Sequence, residues 1–338
     1  MTTIPPKVIS AYGLGRILAT KLVPTGLIHQ TSKIRTERGT FILQRLHPVL
    51  ASEAAAQDFL AVTLFLKKNR FPAPECVLNR DGGVLTEAGG HVWRVQTFIP
   101  GKTYDTVDSP AIAFEAGLIF SRLHRTLAEI RHRFLAPVIL HNTEECYASF
   151  QQAVERYSGT GLLKKAAPEA DFLAEELPKL FLPHDLPLRV IHGDPKITNI
   201  LFGPGGKAKA IVDLDNCNRQ SLLGELGDAF RSWCGGEEDD PKNEFRLDLF
   251  RTAWKGYSKG AKDFLTTHES GYLPQALGTI TLELATRFLT DYFSDSYFGW
   301  DKKRYQSRRA HNLARARGQI ALYRDLREKT TEIREVVS

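Results

Sequence analysis

The chain has few cysteines, and their spacing excludes the sites that cysteine pairs usually build. Its 338 residues include four, namely Cys76, Cys146, Cys217 and Cys234, and none forms a Cys-x-x-Cys pair. Neither a zinc site nor a disulfide framework is therefore indicated, and we expect buried thiols.

Long apolar runs are also missing. No stretch is long enough to span a bilayer, and no N-terminal segment combines basic residues with an apolar run. We therefore expect a cytoplasmic protein without a membrane partner. No internal repeat or low-complexity segment appears either. A hydrophobic content of 42% and a charged content of 25% describe an ordinary globular chain, long enough for two domains.

The chain has no nucleic-acid motif with interleaved aromatic residues and glycines, although its formal net charge is +6. The basic excess is concentrated between Lys302 and Arg317, where no acid occurs. A solvated helix face accounts for most of these residues, so no nucleic-acid partner is expected. The sequence leaves the oligomeric state open.

The predicted elements change in character near residue 100. Strand-like runs dominate from about residue 19 to 98, interrupted by one helix over 52–69, whereas the chain beyond the linker at 99–102 is mostly helical. This pattern predicts an α+β fold with two lobes. We expect a nucleotide-binding lobe over residues 1–100 and a catalytic, acceptor-binding lobe over residues 101–338.

The most informative motif combines two acids and an amide. Asp194 lies in a turn after an apolar strand, Asn199 follows five residues later, and Asp213 ends another apolar strand. Phosphoryl transfer from ATP mainly requires a positioned acceptor hydroxyl and neutralised phosphate charge. Asp194 is suited to accept the hydroxyl proton, whereas Asn199 and Asp213 offer oxygen ligands for Mg²⁺. Lys196 adds a flexible cation beside the transferred group.

An isolated His-Gly-Asp sequence is more often an ordinary turn with a capping aspartate. The pairing of Asp194 with the strand-ending Asp213, in this order, favours a kinase-type centre that uses ATP and Mg²⁺. His192 is expected to be a scaffold residue whose ring bonds the loop. Asp228 and Arg231 are expected to form a buried pair that braces the same loop.

With these motifs in place, the chain resembles the aminoglycoside phosphotransferase and choline kinase superfamily. Residues 121–124 and 227–228 fit its pattern as well. Among its subfamilies the chain is most similar to the N-acetylhexosamine 1-kinases, on the segments 41–44, 211–215, 287–292 and 311–320. The resemblance implies a two-lobed protein-kinase-like fold and transfer to the anomeric hydroxyl of an N-acetylhexosamine. It also assigns Asp194 as base or hydroxyl orienter, with Asn199 and Asp213 as metal ligands.

The candidate acceptor contacts come mostly from the C-terminal segments. They are Asp215, Arg287, His311, Arg315 and Arg317, together with Gln319. Such groups suit neutral hydroxyls and an acetamido carbonyl better than a cation. Asp215 could approach a second metal or an acceptor hydroxyl, or it could form a salt bridge at the end of its strand. Arg315 and Arg317 are two positions apart on a predicted helix, so both cannot face the acceptor equally.

The expected nucleotide lobe lacks two features of kinases, a Gly-rich loop and a strand lysine. The loop over 24–31 contains a single glycine, Gly26, and the lysine position holds Gln44. Arg45 cannot replace the lysine, because adjacent strand residues point to opposite faces. The candidate nucleotide contacts are Gly26, Thr31, Gln44, Gln96 and Phe98.

Two alternatives to a sugar kinase remain. A kinase of a cationic acceptor, of the choline or aminoglycoside type, would need an aromatic cage or clustered carboxylates. A catalytically idle nucleotide-binding protein would agree with Gln44 and the poor phosphate loop, but not with an intact set of Asp194, Asn199 and Asp213.

Overall fold

An antiparallel sheet occupies the first part of the chain. The structure is a computed structural model that describes residues 4–23, 29–261 and 264–338, so the predicted contact Gly26 lies outside the described residues. The strands are β1 Ile17–Val23, β2 Gln30–Thr36, β3 Gly39–Arg45, β4 Cys76–Val77, β5 Thr86–Ala88 and β6 His91–Thr97. Their order is β1-β2-β3-β6-β4, with β5 on the free part of β6, and every pairing is antiparallel.

The two faces of this sheet are covered differently. Helix α1, Pro6–Ala11, packs on one face, where Val8 joins a small core with Ile34, Leu43 and Val95. Helix α2, Glu53–Lys68, begins after Ser52, whose hydroxyl accepts from the Ala55 N–H. Its buried residues Phe59, Val62 and Leu66 join the core of the helical part instead. The second face therefore borders a cleft between sheet and helices.

The remainder is mostly helical, with two short antiparallel strand pairs. The helices are α3 Pro110–Leu127, α4 Thr143–Arg156, α5 Gly161–Glu176, α6 Leu222–Cys234, α7 Leu247–Ala261, α8 Thr267–Ser294, α9 Arg308–Glu328 and α10 Thr330–Val337. Strand β7 Leu188–Ile191 pairs with β10 Asn218–Ser221, and β8 Ile200–Phe202 pairs with β9 Ala208–Ile211. The predicted α+β class, with an antiparallel sheet lobe and a helical lobe, is confirmed.

The apolar periodicity of the sequence predicts helices over 273–293 and about 308–334, and the observed boundaries differ from both. Helix α8 begins at Thr267 because a capping box between Thr266 and Glu269 closes its first turn, and it continues through Pro274. The helix expected over 308–334 is divided at Lys329 into α9 and α10. Within the described residues, no helix combines the length and apolarity needed to cross a membrane.

Candidate active site

The turn after β7 presents Asp194 at the cleft. The buried strand residues Val190 and Ile191 lead into it, and Gly193 adopts φ +83°, a conformation that favours glycine. A Cβ on Gly193 would also lie 2.5 Å from the carbonyl oxygen of Asn216. Both the conformation and the close approach therefore require a glycine before the candidate base.

A buried carboxylate, Glu225 of α6, holds this turn from below. It accepts the N–H of His192 at 3.1 Å and the N–H of Gly193 at 2.6 Å, and it contacts Nε2 of His124. Burial opposes the charge, but His124 and these N–H groups keep the pKa of Glu225 below its usual range. Glu225 thus fills the bracing role that the sequence predicts for the pair of Asp228 and Arg231. The sequence marks Glu225 only by its place in the first turn of α6, which does not indicate a contact with residues 192 and 193.

The carboxylate of Asp194 has two polar neighbours. Nζ of Lys196 lies 3.0 Å from Oδ1, and Nδ2 of Asn199 donates to Oδ2 at 3.4 Å and to the backbone carbonyl of Asp194 at 2.8 Å. Although loss of solvent opposes its charge, Lys196 has a raised pKa because of the Asp194 carboxylate. The Asp194 side chain stays 16% exposed, so a hydroxyl group can approach it from the cleft.

Asp213 lies at the end of β9 in a left-handed conformation, with φ 65° and ψ 57°. The preceding residue ties it to the catalytic turn: the Val212 N–H donates to the Asn199 carbonyl, and the Val212 carbonyl bonds Nε2 of His192 at 2.9 Å. His192 is therefore the scaffold residue that the sequence predicts. A strained backbone held by its surroundings is typical of a functional position.

The oxygen atoms of Asn199 and Asp213 suit a divalent cation. Within the described residues, no group donates to Oδ1 of Asn199 or to the Asp213 carboxylate, and Asp213 is exposed to the cleft. Desolvation there, with the negative charges of Asp215 and Asp194, raises the pKa of Asp213. One carboxylate and one amide fit Mg²⁺, which keeps most of its ligands from water and phosphate. The described residues contain no cluster of three or more His, Cys, Asp or Glu side chains arranged for a metal.

Three of the predicted nucleotide contacts lie on the cleft side of the sheet. Thr31 pairs with Gln44 across β2 and β3, and Gln44 pairs with Arg94 across β3 and β6, so these side chains share one face. Gln96 also bonds the side chain of Gln44. Arg45 points the other way, towards His91, as strand alternation predicts.

Phe98 lies beyond the end of β6, where Nζ of Lys33 is 3.8 Å from the centre of its ring. The phenyl ring is partly exposed, and its edge position agrees with a place beside the interlobe linker. Of the predicted nucleotide contacts, Thr31, Gln44, Gln96 and Phe98 are thus described, whereas Gly26 is not.

Asp215, predicted as an acceptor contact, is engaged by the sheet. Both of its carboxylate oxygens accept from the guanidinium of Arg94, at 2.6 and 2.7 Å. Although burial opposes the charge, Arg94 lowers the pKa of Asp215. The salt-bridge alternative is therefore the observed one. The role of Arg94 could not be predicted from the sequence, because Arg94 and Asp215 are 121 positions apart and no local pattern connects them.

Two predicted acceptor contacts on α9 also have internal partners. Nε of Arg317 lies 2.7 Å from Glu169 of α5, and the Arg317 side chain is 48% exposed. Nε2 of His311 lies 3.2 Å from Asp239, while its ring stacks on Tyr305. These interactions engage Nε of Arg317 and Nε2 of His311 within the protein, and an acceptor contact by either residue stays a prediction.

Arg315 and Gln319 are placed differently from Arg317. Arg315 donates to the Gly299 carbonyl at 2.8 Å and lies 3.6 Å from Glu238. Oε1 of the Gln319 side chain accepts from Nη1 of Arg231 at 3.3 Å. Arg315 and Arg317 therefore face different sides of the helix, as their spacing predicts.

Arg287 is the predicted acceptor contact that lies on a cavity. The cavity measures about 390 Å³ and is formed by the start of α4, the end of α8 and the loop after it. Asn142, Cys146, Tyr297 and Phe298 are among its lining residues. Within the described residues, no carboxylate lies within salt-bridge distance of Arg287, so its guanidinium can bind a ligand oxygen.

A buried group of charges connects this cavity with the catalytic turn. Arg231 donates to Asp228 at 2.6 Å, so these two form the expected buried pair. His141, which precedes the cavity residue Asn142, lies 2.9 Å from Glu283 and 3.7 Å from Asp228. Although burial opposes its charge, these carboxylates raise the pKa of His141 to about 10. Both carboxylates therefore have a cationic partner.

Comparisons with known proteins agree with this geometry. Residues 19–259 match the profile of the phosphotransferase enzyme family, APH. A homoserine kinase of Zymomonas mobilis is 25% identical over 247 residues, which are 72% of each chain.

Two solved structures share the fold. An amicoumacin kinase in complex with AMP-PNP and Ca²⁺ superposes with a TM-score of 0.65, at 15% identity over 93% of this chain and 91% of that one. A microcompartment-associated aminopropanol kinase gives a TM-score of 0.66, at 17% identity over 96% and 97%.

Proposed function

Because the chain belongs to the phosphotransferase enzyme family, we propose that it is an ATP- and Mg²⁺-dependent kinase that phosphorylates a hydroxyl of a small molecule. One observation carries this proposal. Asp194, Asn199 and Asp213 converge at the cleft, and among the residues that the structure describes no group donates to Oδ1 of Asn199 or to the Asp213 carboxylate. A nucleotide-binding protein without catalytic activity would not need all three of these residues.

Each residue has a distinct role in the proposed transfer. Asn199 and Asp213 would hold Mg²⁺, which supplies neutralising charge to the phosphates when bound. Asp194 orients the acceptor hydroxyl and accepts its proton as the new phosphorus–oxygen bond forms, while the bond from the γ-phosphorus to the bridging oxygen of ATP breaks and ADP leaves. Lys196 balances the charge of Asp194 and reaches towards the transferred phosphoryl group. The expected division into a nucleotide lobe over 1–100 and an acceptor lobe over 101–338 belongs to the same proposal.

The acceptor is uncharged or carries balanced charge. The carboxylates of Asp228 and Glu283 are already neutralised by Arg231 and His141. Of the two carboxylates that line the cavity, Asp291 accepts from backbone N–H groups of the following loop, which leaves Glu145 to balance the guanidinium of Arg287. The leading acceptor is an N-acetylhexosamine, phosphorylated at its anomeric hydroxyl. This choice rests on the resemblance over 287–292 and 311–320.

Two contacts within those segments support the sugar. Nδ2 of Asn312 donates to Asp291 at 2.8 Å, which joins α8 and α9 beside the cavity. Arg287 lines the same cavity, and none of the described carboxylates lies within salt-bridge distance of it. The guanidinium is suited to sugar hydroxyls or to an acetamido carbonyl.

A second acceptor class is favoured by the relatives. The curated relatives that match are named homoserine kinases, and one structural neighbour is named an aminopropanol kinase. A hydroxy amino acid is zwitterionic at neutral pH, so it also suits a site whose charges are balanced. Its primary hydroxyl would meet Asp194 in the same way.

A panel of acceptors separates these candidates. The protein is incubated with Mg²⁺-ATP and N-acetylglucosamine, N-acetylgalactosamine, homoserine, aminopropanol or choline, and the product is identified by phosphorus NMR. We expect acceptor-dependent ADP release with phosphate on the anomeric carbon of a sugar. Phosphate on homoserine would establish the second class. No transfer to any acceptor, in a protein that binds ATP, would favour the idle protein.

A further inference from the structure

Arg94 is the most completely engaged cation of the sheet lobe. The residue is 1% exposed, and its guanidinium lies 3.7 Å above the ring of Phe59. Nη1 and Nη2 bind the two oxygens of Asp215, while Nε and Nη2 bind Oε1 of Gln44 at 3.2 and 2.7 Å. This bidentate, buried geometry fixes both partners in direction as well as distance.

The ion pair joins the two parts of the molecule beside the metal site. Arg94 belongs to β6 of the sheet, whereas Asp215 lies two residues after Asp213, in the short 3₁₀ turn Leu214–Asn216. Asp213 itself holds the strained left-handed conformation that starts this turn. A contact that holds Asp215 in place therefore also holds the backbone of Asp213, the proposed metal ligand.

The charge arrangement explains how Gln44 can replace a lysine. Its Oε1 accepts from Arg94 and from Gln96, so Gln44 serves as an acceptor that holds the arginine in place. The positive charge of the cleft wall comes from the neighbouring strand instead. His29 adds a second contact: its Nδ1 accepts from the His47 N–H, which leaves Nε2 as a buried donor 3.6 Å from Asp215.

We propose that Arg94 is a positioning residue which, by binding Asp215, keeps that carboxylate away from the metal and holds Asp213 in its ligating position. The inference rests on the proposed function, because it concerns how Mg²⁺ and nucleotide are bound. Arg94 thereby links the sheet to the proposed metal ligands. Partners of metal-ligating residues commonly change affinity by about 10- to 100-fold when removed.

The test compares Arg94→Met, Asp215→Asn and the double variant. Calorimetry measures the affinity for AMP-PNP with and without Mg²⁺, and thermal unfolding gives Tm. We expect each single variant to weaken Mg²⁺-dependent binding by about tenfold or more, with little change in Mg²⁺-free binding. The double variant removes both buried charges, so it should regain Tm while its Mg²⁺-dependent affinity stays low.

The Tm of the double variant separates positioning from structure. If Arg94 only stabilises the fold, nucleotide affinity should recover together with Tm. The Arg189–Glu269 pair, in which the partners are 15% and 1% exposed, provides a matched control. Glu269→Gln should lower Tm and leave the Mg²⁺ dependence unchanged.

Two results overturn the inference. If Asp215 is itself a metal ligand, Arg94→Met frees it, and Mg²⁺-dependent affinity then stays equal or rises. If affinity with and without Mg²⁺ falls equally in Arg94→Met, the residue acts only on the fold. Absence of nucleotide binding in the unmodified protein would instead contradict the proposed function, so the two failures are distinguishable.

Discussion

The catalytic turn and helix α9 both carry polar residues predicted from the sequence to bind ligands, but they use them differently. In the turn, backbone contacts hold the residues, while within the described part of the chain no group donates to the Asp213 carboxylate or to Oδ1 of Asn199. On α9, Nε2 of His311 binds Asp239 and Nε of Arg317 binds Glu169. In both regions the residue types suit ligand binding. The difference is that the polar oxygens of the turn have no donor among the described residues, whereas the polar nitrogens of α9 bind other side chains.

The largest effect that would test this contrast is expected at Asp194. Asp194→Asn removes the proton acceptor while keeping the shape of the side chain. Turnover should fall by about 10²- to 10⁴-fold. Nucleotide affinity should stay close to that of the unmodified protein, because the nucleotide is held elsewhere. The measurement is kcat with saturating ATP, and near-normal turnover would remove Asp194 from the mechanism.

The second prediction concerns the support of the turn. Glu225→Gln places an amide nitrogen where an oxygen now accepts an N–H or faces His124. We expect a loss of about 3 kcal/mol in the free energy of unfolding, as for a broken buried pair. Urea denaturation measures it.

Glu115→Gln is the matched control for Glu225. Glu115 also accepts a backbone N–H, that of Ala208, but its other partner is the exposed Lys207. A loss in Glu115→Gln as large as that in Glu225→Gln would contradict the special role of the buried brace.

Much of the turn could be predicted from the sequence because its residues are close together in the chain. Asp194, Lys196 and Asn199 lie within six positions, and an apolar strand precedes them. The partners of Asp215 and Arg317 could not be predicted, since Arg94 and Glu169 are distant in sequence and only the packing of the fold brings them near. Local spacing therefore indicates the chemistry, whereas tertiary contacts decide which charges stay free.

In the helical lobe too, only elements with a clear local pattern could be predicted from the sequence. The apolar repeat of α3 is strong enough to predict it from Pro110 onwards, and its observed end is Leu127. Helix α6 was not predicted: its polar residues Glu225, Asp228 and Arg231 recur on one face, but they are buried like its apolar residues, so the helix lacks the exposed polar side of a surface helix. Glu225, which lies on α6, was missed for that reason.

The third prediction ranks the two metal ligands. Asp213→Ala removes a formal charge from the cation, whereas Asn199→Ala removes only a dipole. We expect Asp213→Ala to weaken Mg²⁺-dependent AMP-PNP binding by about tenfold more. Titration at several Mg²⁺ concentrations gives the order, and a reversed order would contradict the assignment.

The fourth prediction concerns pH and the buried charges behind the turn. The pKa of His141 is raised from its ordinary value of 6.5 to about 10. Its stabilising effect is therefore complete below pH 6.5 and is lost as the pH rises through about 10. The stability difference between the unmodified protein and His141→Gln should narrow by about 1.4 kcal/mol or more between pH 6 and pH 10. Urea denaturation over this range measures the difference, and a constant difference would show that His141 is neutral.

The smallest effects are expected on α9, where the two arginines test the contrast directly. Arg317 forms a half-exposed ion pair, so Arg317→Ala should change stability by less than about 1 kcal/mol and leave kcat/KM within about twofold.

Arg315 is 19% exposed and binds the Gly299 carbonyl, next to the cavity residues Tyr297 and Phe298. Arg315→Ala frees this loop, so kcat/KM for the acceptor should fall by about tenfold, or about 1.4 kcal/mol. The comparison is made with ATP saturating, so that only acceptor binding is measured. Equal values for both variants would show that the loop does not shape the acceptor site, and Arg287 would then be the remaining contact to test.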